Sequence, residues 1–178
     1  LTIVGPTGLA AFLEFIASTP FGRLGFELRH VEIDPQSLVP GKVETVDIPS
    51  RFIVQVAPLD HRIPCIGYRI SERPRRPPFD ADRAHNVGIS GHQFARLERE
   101  GTIRTDRGLV RLEDVTKPPA EPLAVCVLGD TRPCDSSIAL AERVDLLQHE
   151  ATYLDKHAAL AEKYGHSTAT QAATIARD

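Results

Sequence analysis

The unbroken apolar run Leu123-Ala124-Val125-Cys126-Val127-Leu128, closed by Gly129-Asp130-Thr131, limits the fold more than any other stretch of the chain. A strand with one wet face alternates apolar and polar residues. A run that is apolar throughout suits a strand covered on both faces, as at the centre of a layered α/β domain. Other strand candidates lie before it. Leu1–Val4 ends in Gly5-Pro6-Thr7-Gly8, Phe26–Ile33 and Val43–Ile48 alternate, Phe52–Val56 runs on into Ala57-Pro58-Leu59-Asp60-His61, and Cys65–Ile70 follows. Leu9, Phe12, Leu13 and Ile16 recur at helical spacing. Beyond the central run the pattern gives a helix near Ser136–Arg143, a strand at Val144–Gln148, and helices at Leu154–Tyr164 and Thr170–Ala176. Gly165 can stop the first of these two helices, and Ser167 or Thr168 can cap the second.

Between roughly Glu72 and Pro122 the character changes. Arg73-Pro74-Arg75-Arg76-Pro77-Pro78 cannot continue a ladder or a helix, because proline fixes φ and donates no N–H. This polar, arginine-rich segment reads as an arm leaving the core. It holds one helix near Gln93–Glu100 and a hairpin around Asp106-Arg107-Gly108.

The totals exclude several classes. A chain of 178 residues suits one compact domain, and 42% hydrophobic with 25% charged residues is globular rather than disordered. No apolar stretch approaches the roughly 18 residues of a membrane helix. Leu1–Ala10 lacks the features of a signal peptide, so no membrane role and a cytoplasmic location are expected. Three cysteines without a CxxC pair argue against a disulfide framework and against a thiolate zinc cluster. A net charge of -3 supplies no general attraction to nucleic acid, so RNA binding would need a local basic patch. The chain contains no methionine and opens on Leu1, which reads as a fragment of a longer protein.

Polar groups follow the strands at Asp60-His61, Asp130-Thr131 and His149-Glu150, where layered folds place function, and His166 precedes Ser167-Thr168. Each alone also suits a turn former, a helix cap or a surface histidine. In order and surroundings they say more. The strings Leu59-Asp60-His61-Arg62-Ile63-Pro64 with Gly67-Tyr68-Arg69-Ile70, Gly129-Asp130-Thr131-Arg132, His149-Glu150-Ala151-Thr152, and His166-Ser167-Thr168 with Gln171-Ala172-Ala173 resemble the ribonuclease Z family. These are zinc enzymes of the metallo-β-lactamase superfamily that process tRNA 3′ ends. Leu1–Phe12 is similar to that family as well.

The resemblance implies an α/β fold, a partial metallo-β-lactamase-like αβ/βα sandwich over residues 1–178, with 72–122 inserted as a tRNA-binding arm. It implies a hydrolase acting on precursor tRNA, two zinc ions in the complete enzyme, and a homodimer. His61 matches a zinc-ligating histidine and Asp130 the aspartate that bridges both ions, roles suited to a nitrogen donor and a two-oxygen carboxylate. His166 matches a histidine assigned to phosphate contact or leaving-group protonation. Glu150 would orient His166 or a zinc ligand. Arg73, Arg75 and Arg76 would contact RNA.

The chain also departs from the family. The principal metal motif HxHxDH should lie before Leu1, and a last zinc histidine beyond Asp178. In the arm a Gly-Pro pair is replaced near Gly88-Ile89-Ser90-Gly91. The chain by itself is therefore expected to be inactive. Two other readings are a phosphodiesterase or arylsulfatase-like hydrolase on the same fold, and a non-catalytic RNA-binding or scaffold derivative.

Overall fold

The computed structural model describes residues 1–19 and 25–177. In chain order the elements are β1 (Thr2–Pro6), α1 (Leu9–Ser18), β2 (Arg29–Ile33), β3 (Glu44–Val46), β4 (Phe52–Leu59), β5 (Cys65–Glu72), α2 (Ala81–Asn86), α3 (Gln93–Glu100), β6 (Thr102–Thr105), β7 (Gly108–Arg111), β8 (Ala124–Val127), α4 (Asp135–Ala141), β9 (Leu146–Gln148), α5 (Ala158–Tyr164) and α6 (Ala169–Arg177). They form two compact units, Leu1–Glu72 with Leu123–Asp178, and Arg73–Pro122.

In the first unit β1 pairs in parallel with β2, and a five-stranded sheet runs in the order β3-β4-β5-β8-β9. The apolar run thus becomes β8, an interior strand. β4 is antiparallel to β5, β5 is antiparallel to β8, and β8 is parallel to β9. It follows that β4, β8 and β9 run the same way and end at one edge of the sheet. The loops after them carry Asp60-His61, Asp130-Thr131 and His149-Glu150.

The side-chain period of two places neighbours on opposite faces. Ala57 and Leu59 join Cys126, Leu128 and Leu140 of α4 in one buried cluster, while Val56 joins Leu38 and Ile66 in another. Burying a side chain such as Leu140 stabilises by roughly 1.5–3 kcal/mol. Gly67 allows α4 to come this close: a Cβ there would stand 2.7 Å from Leu140 Cδ1 and 2.8 Å from Leu128 Cδ2.

Several elements are shorter than their patterns suggest. β2 begins at Arg29 rather than Phe26, since Arg29 lies opposite Thr2, the first residue of its partner strand β1. β3 keeps only the three residues paired with Val54–Val56. Before β9, Asp145 is spent on Ala124, donating its N–H to the carbonyl and accepting the N–H on its carboxylate. α4 ends at Ala141 because Arg143 lies at φ 51, and Arg69 Nη1 donates to the carbonyls of Leu140 and Glu142.

The second unit has its own core of Ala84, Ile89, Leu97, Ile103, Val110 and Val115. Helix α3 and the β6–β7 hairpin lie where the sequence places them. Helix α2 has no periodic signal, being six residues with one buried side chain, Ala84. The Asp80 carboxylate starts it by accepting the Arg83 N–H. No helix among the described residues is long and apolar enough to cross a membrane.

Candidate metal centre

Four loops converge at the shared sheet edge, and buried hydroxyl and carboxylate groups tie them together. Thr131 Oγ1 accepts the Asp60 N–H at 3.1 Å. The Ser167 hydroxyl donates to the Thr131 carbonyl at 2.7 Å. Both Thr131 and Ser167 are fully buried. Arg132 joins the same loops, since its Nε donates to Asp60 Oδ2 and its Nη1 to the Glu162 carbonyl.

Glu150 is the hub. Its Oε1 accepts from Thr131 N, Ser167 N and His166 Nδ1 at 3.0–3.1 Å, and its Oε2 from Thr152 N at 2.8 Å. Burial opposes ionisation here. The N–H groups of Thr152, Thr131 and Ser167 outweigh it and hold the carboxyl below its ordinary value. An ionised, nearly buried carboxylate thus binds the loops after β8, β9 and α5 into one assembly.

On that frame His61, Asp130 and His166 each offer a ligand atom within 4.8 Å of the others. Among the described residues no other three His, Cys, Asp or Glu side chains do so. His61 Nε2 faces Asp130 Oδ2 at 4.0 Å, His166 Nδ1 lies 3.9 Å from Asp130 Oδ1, and the two imidazoles meet edge to face at 4.8 Å. The local chain explains the His61 orientation. Gly165 ends α5 at φ 78, and its carbonyl takes His61 Nδ1 at 2.7 Å.

A carbonyl only accepts, so Nδ1 of His61 carries a proton, and Nε2 is the ring nitrogen turned toward Asp130. Two imidazoles beside a carboxylate match the nitrogen and oxygen donors zinc takes. Backbone and carboxylate acceptors on the second ring nitrogens are the usual supports of metal-binding histidines. The residues therefore fit a divalent ion. With the Nδ1 proton of His166 held by Glu150, His61 and Asp130 are the two protein ligands, fewer than the three or four that zinc takes.

The sequence singled out His61, Asp130, Glu150 and His166, and the fold brings all four together. Arg73, Arg75 and Arg76 lie in the second unit, where Arg76 Nη1 is 3.7 Å from Glu98 Oε2. His149, beside Glu150, bonds its own loop through Nδ1 to the Glu150 carbonyl, and its buried Nε2 has no partner among the described residues. Sequence reasoning passed over Thr131, Arg132, Gly165 and Ser167 as site-builders. Their one signal was adjacency: each directly flanks, or lies two residues from, a candidate residue.

No protein-family model matches the chain. Among curated proteins, the ribonuclease Z of Salinibacter ruber is 40% identical over 181 residues, taking in 100% of this chain and 55% of that protein. That of Methanosarcina mazei is 32% identical over 100% of this chain and 56% of its own length. The chain thus spans about half the length of the curated relatives it matches. Among solved structures, human tRNase Z, short form, superposes with a TM-score of 0.57 at 22% identity, covering 99% of this chain and 56% of that one. The metallo-β-lactamase-fold protein YhfI of Bacillus subtilis gives 0.51 at 15% identity, covering 99% and 46%. At these identities the two structures speak for the fold alone, a metallo-β-lactamase-type α/β fold, and the sequence relatives carry the rest: along its whole length this chain is homologous to curated ribonuclease Z proteins.

Proposed function

We propose that the chain supplies part of the active site of a zinc-dependent endoribonuclease that removes the 3′ trailer from precursor tRNA. The observation that carries this is the His61–Asp130–His166 group, held at one sheet edge by the buried Glu150 carboxylate. His61 and Asp130 would hold the metal. Zinc, when bound, supplies a Lewis acid and acidifies a water. Glu150 fixes the Nδ1 proton of His166, which leaves Nε2 of that ring for the substrate phosphate or the leaving oxygen. Asp60, bridged to Arg132, keeps the loop bearing His61 against the loop bearing Asp130.

The unit Arg73–Pro122 would act as the tRNA-binding arm. It carries ten Lys and Arg against eight Asp and Glu in a chain whose net charge is -3, so the rest is acidic. Arg73, Arg75 and Arg76 at its start are the proposed RNA contacts. Two ions, a homodimer and a cytoplasmic setting complete this reading and rest on the family resemblance.

A chimera tests it. Residues 1–178 replace the matching residues of the Salinibacter ruber ribonuclease Z, 40% identical to them, and the purified protein is given a precursor-tRNA transcript. Cleavage leaving a mature 3′ end is expected, with a loss of at least about 100-fold in Asp130→Ala. A folded, zinc-loaded chimera that hydrolyses a small phosphodiester but spares the transcript would favour the other hydrolase reading. Binding without any hydrolysis would favour the scaffold.

A further inference from the structure

Seven arginines among the described residues stand beside a carboxylate. Arg29 pairs with Glu27, Arg76 with Glu98, Arg83 with Asp80, Arg96 and Arg99 with Glu100, Arg111 with Glu113, and Arg132 with Asp60. Arg62 and Lys163 stand out in another way, by sharing one aromatic ring. Both are exposed, and their charged groups lie 5.0 and 5.3 Å from the centre of one ring, that of Tyr164. Among the described residues no carboxylate pairs with either.

This trio borders the candidate metal centre. Arg62 follows His61, Tyr164 stands two residues before His166, and the His61–Gly165 bond draws the two segments together. A Cβ on Gly165 would stand 3.2 Å from Arg62 N. Part of the arrangement is helix capping, since Arg62 Nε donates to the Tyr164 carbonyl at the end of α5. Capping does not explain Lys163, whose ammonium takes no carbonyl. Two exposed cations without a carboxylate partner make a local positive patch beside the ring, which favours a nearby anion. Cations beside an aromatic ring are also the pairing that suits a nucleic-acid strand, phosphates to the charges and a base or ribose to the ring.

We propose that Arg62, Lys163 and Tyr164 form an RNA-backbone site at the rim of the centre, where the two cations take phosphates flanking the one that is cut. The identity of the ligand rests on the ribonuclease reading above. The test uses the full 178-residue chain and a fluorescent precursor-tRNA transcript, with binding followed by anisotropy over a range of salt concentrations. Lys163→Gln breaks no backbone bond, so its fold should survive, which circular dichroism checks. The expected result is a log–log salt slope shallower by roughly 0.7–0.9 for each cation replaced, in Lys163→Gln and Arg62→Gln alike. Tyr164→Leu should weaken binding by about fivefold or more, as loss of one stacking platform does.

An unchanged slope and affinity in Lys163→Gln overturns the site, and so does a wild-type chain without RNA affinity. Zinc binding by the same chain, compared with His61→Ala and Asp130→Ala, keeps the two proposals apart. Zinc binding that needs His61 and Asp130, with no effect of Lys163→Gln on RNA, sinks the rim site alone. A shallower slope in Lys163→Gln with no zinc binding supports the rim site and sinks the metal reading.

Discussion

Gly165 carries more of the site than its lack of a side chain suggests. It ends α5 in the left-handed region at φ 78, its carbonyl fixes the His61 tautomer, and a Cβ there would lie 2.9 Å from His61 Nδ1 and 3.3 Å from His61 Cα. Gly165→Ala therefore meets backbone strain of about 1–2 kcal/mol and also pushes on the candidate ligand. It should lower the unfolding free energy by at least that amount, read by chemical denaturation, and weaken zinc binding as well, read by competition with a chromophoric chelator. Full zinc affinity in a merely destabilised variant would show that the His61–Gly165 bond does not set the ligand. Cys65, by contrast, touches the site without being reactive. Its thiol donates to the Asp130 carbonyl, and burial, then the nearby Asp130, pushes its pKa up to about 11.

Among the elements, α1 shows how a strand can start a helix. Gly8 at its N-terminus gives no side-chain cap, and Glu32 reaches over from β2 to accept the N–H groups of Ala10 and Gly8. These bonds, that of Ala10 first, hold the Glu32 carboxyl below 4.5. A depressed carboxyl gives stability that is present above about pH 4.5 and is lost as the pH falls through the lower folded value. Glu32→Gln should thus be less stable than the parent at neutral pH, with the gap closing in acid. Thermal melts across that range check it; a gap independent of pH would show that the bonds act without the charge.

For the whole molecule, the segment 73–122 leaves and returns at neighbouring points. Glu72 N donates to the Leu123 carbonyl at 2.9 Å, and the segment has its own core. Replacing 73–122 by a short Gly-Asn turn should leave the first unit folded, with its zinc affinity intact, and should weaken binding of a precursor-tRNA transcript. Circular dichroism, zinc titration and anisotropy on one preparation would decide it. Loss of the fold would show that the first unit needs the segment for stability, and unchanged RNA binding would remove its role as the arm.

The sequence by itself marked β8 as an interior strand, because a run apolar on both sides has few other uses, and it marked the polar residues at the strand ends. The ordered strings around His61, Asp130, Glu150 and His166 gave the family, which the curated relatives support along the whole chain. Element ends were less legible, since a strand such as β2 stops where its partner stops rather than where its own alternation does. Only the tertiary structure decided that residues over 100 positions apart, His61 and Gly165, share a hydrogen bond. The same holds for Glu150, which gathers three loops, and for His166, which comes within 4.8 Å of His61 and Asp130. The reason is that strand direction sends β4, β8 and β9 to one edge, and direction is a property of pairing that no local pattern encodes.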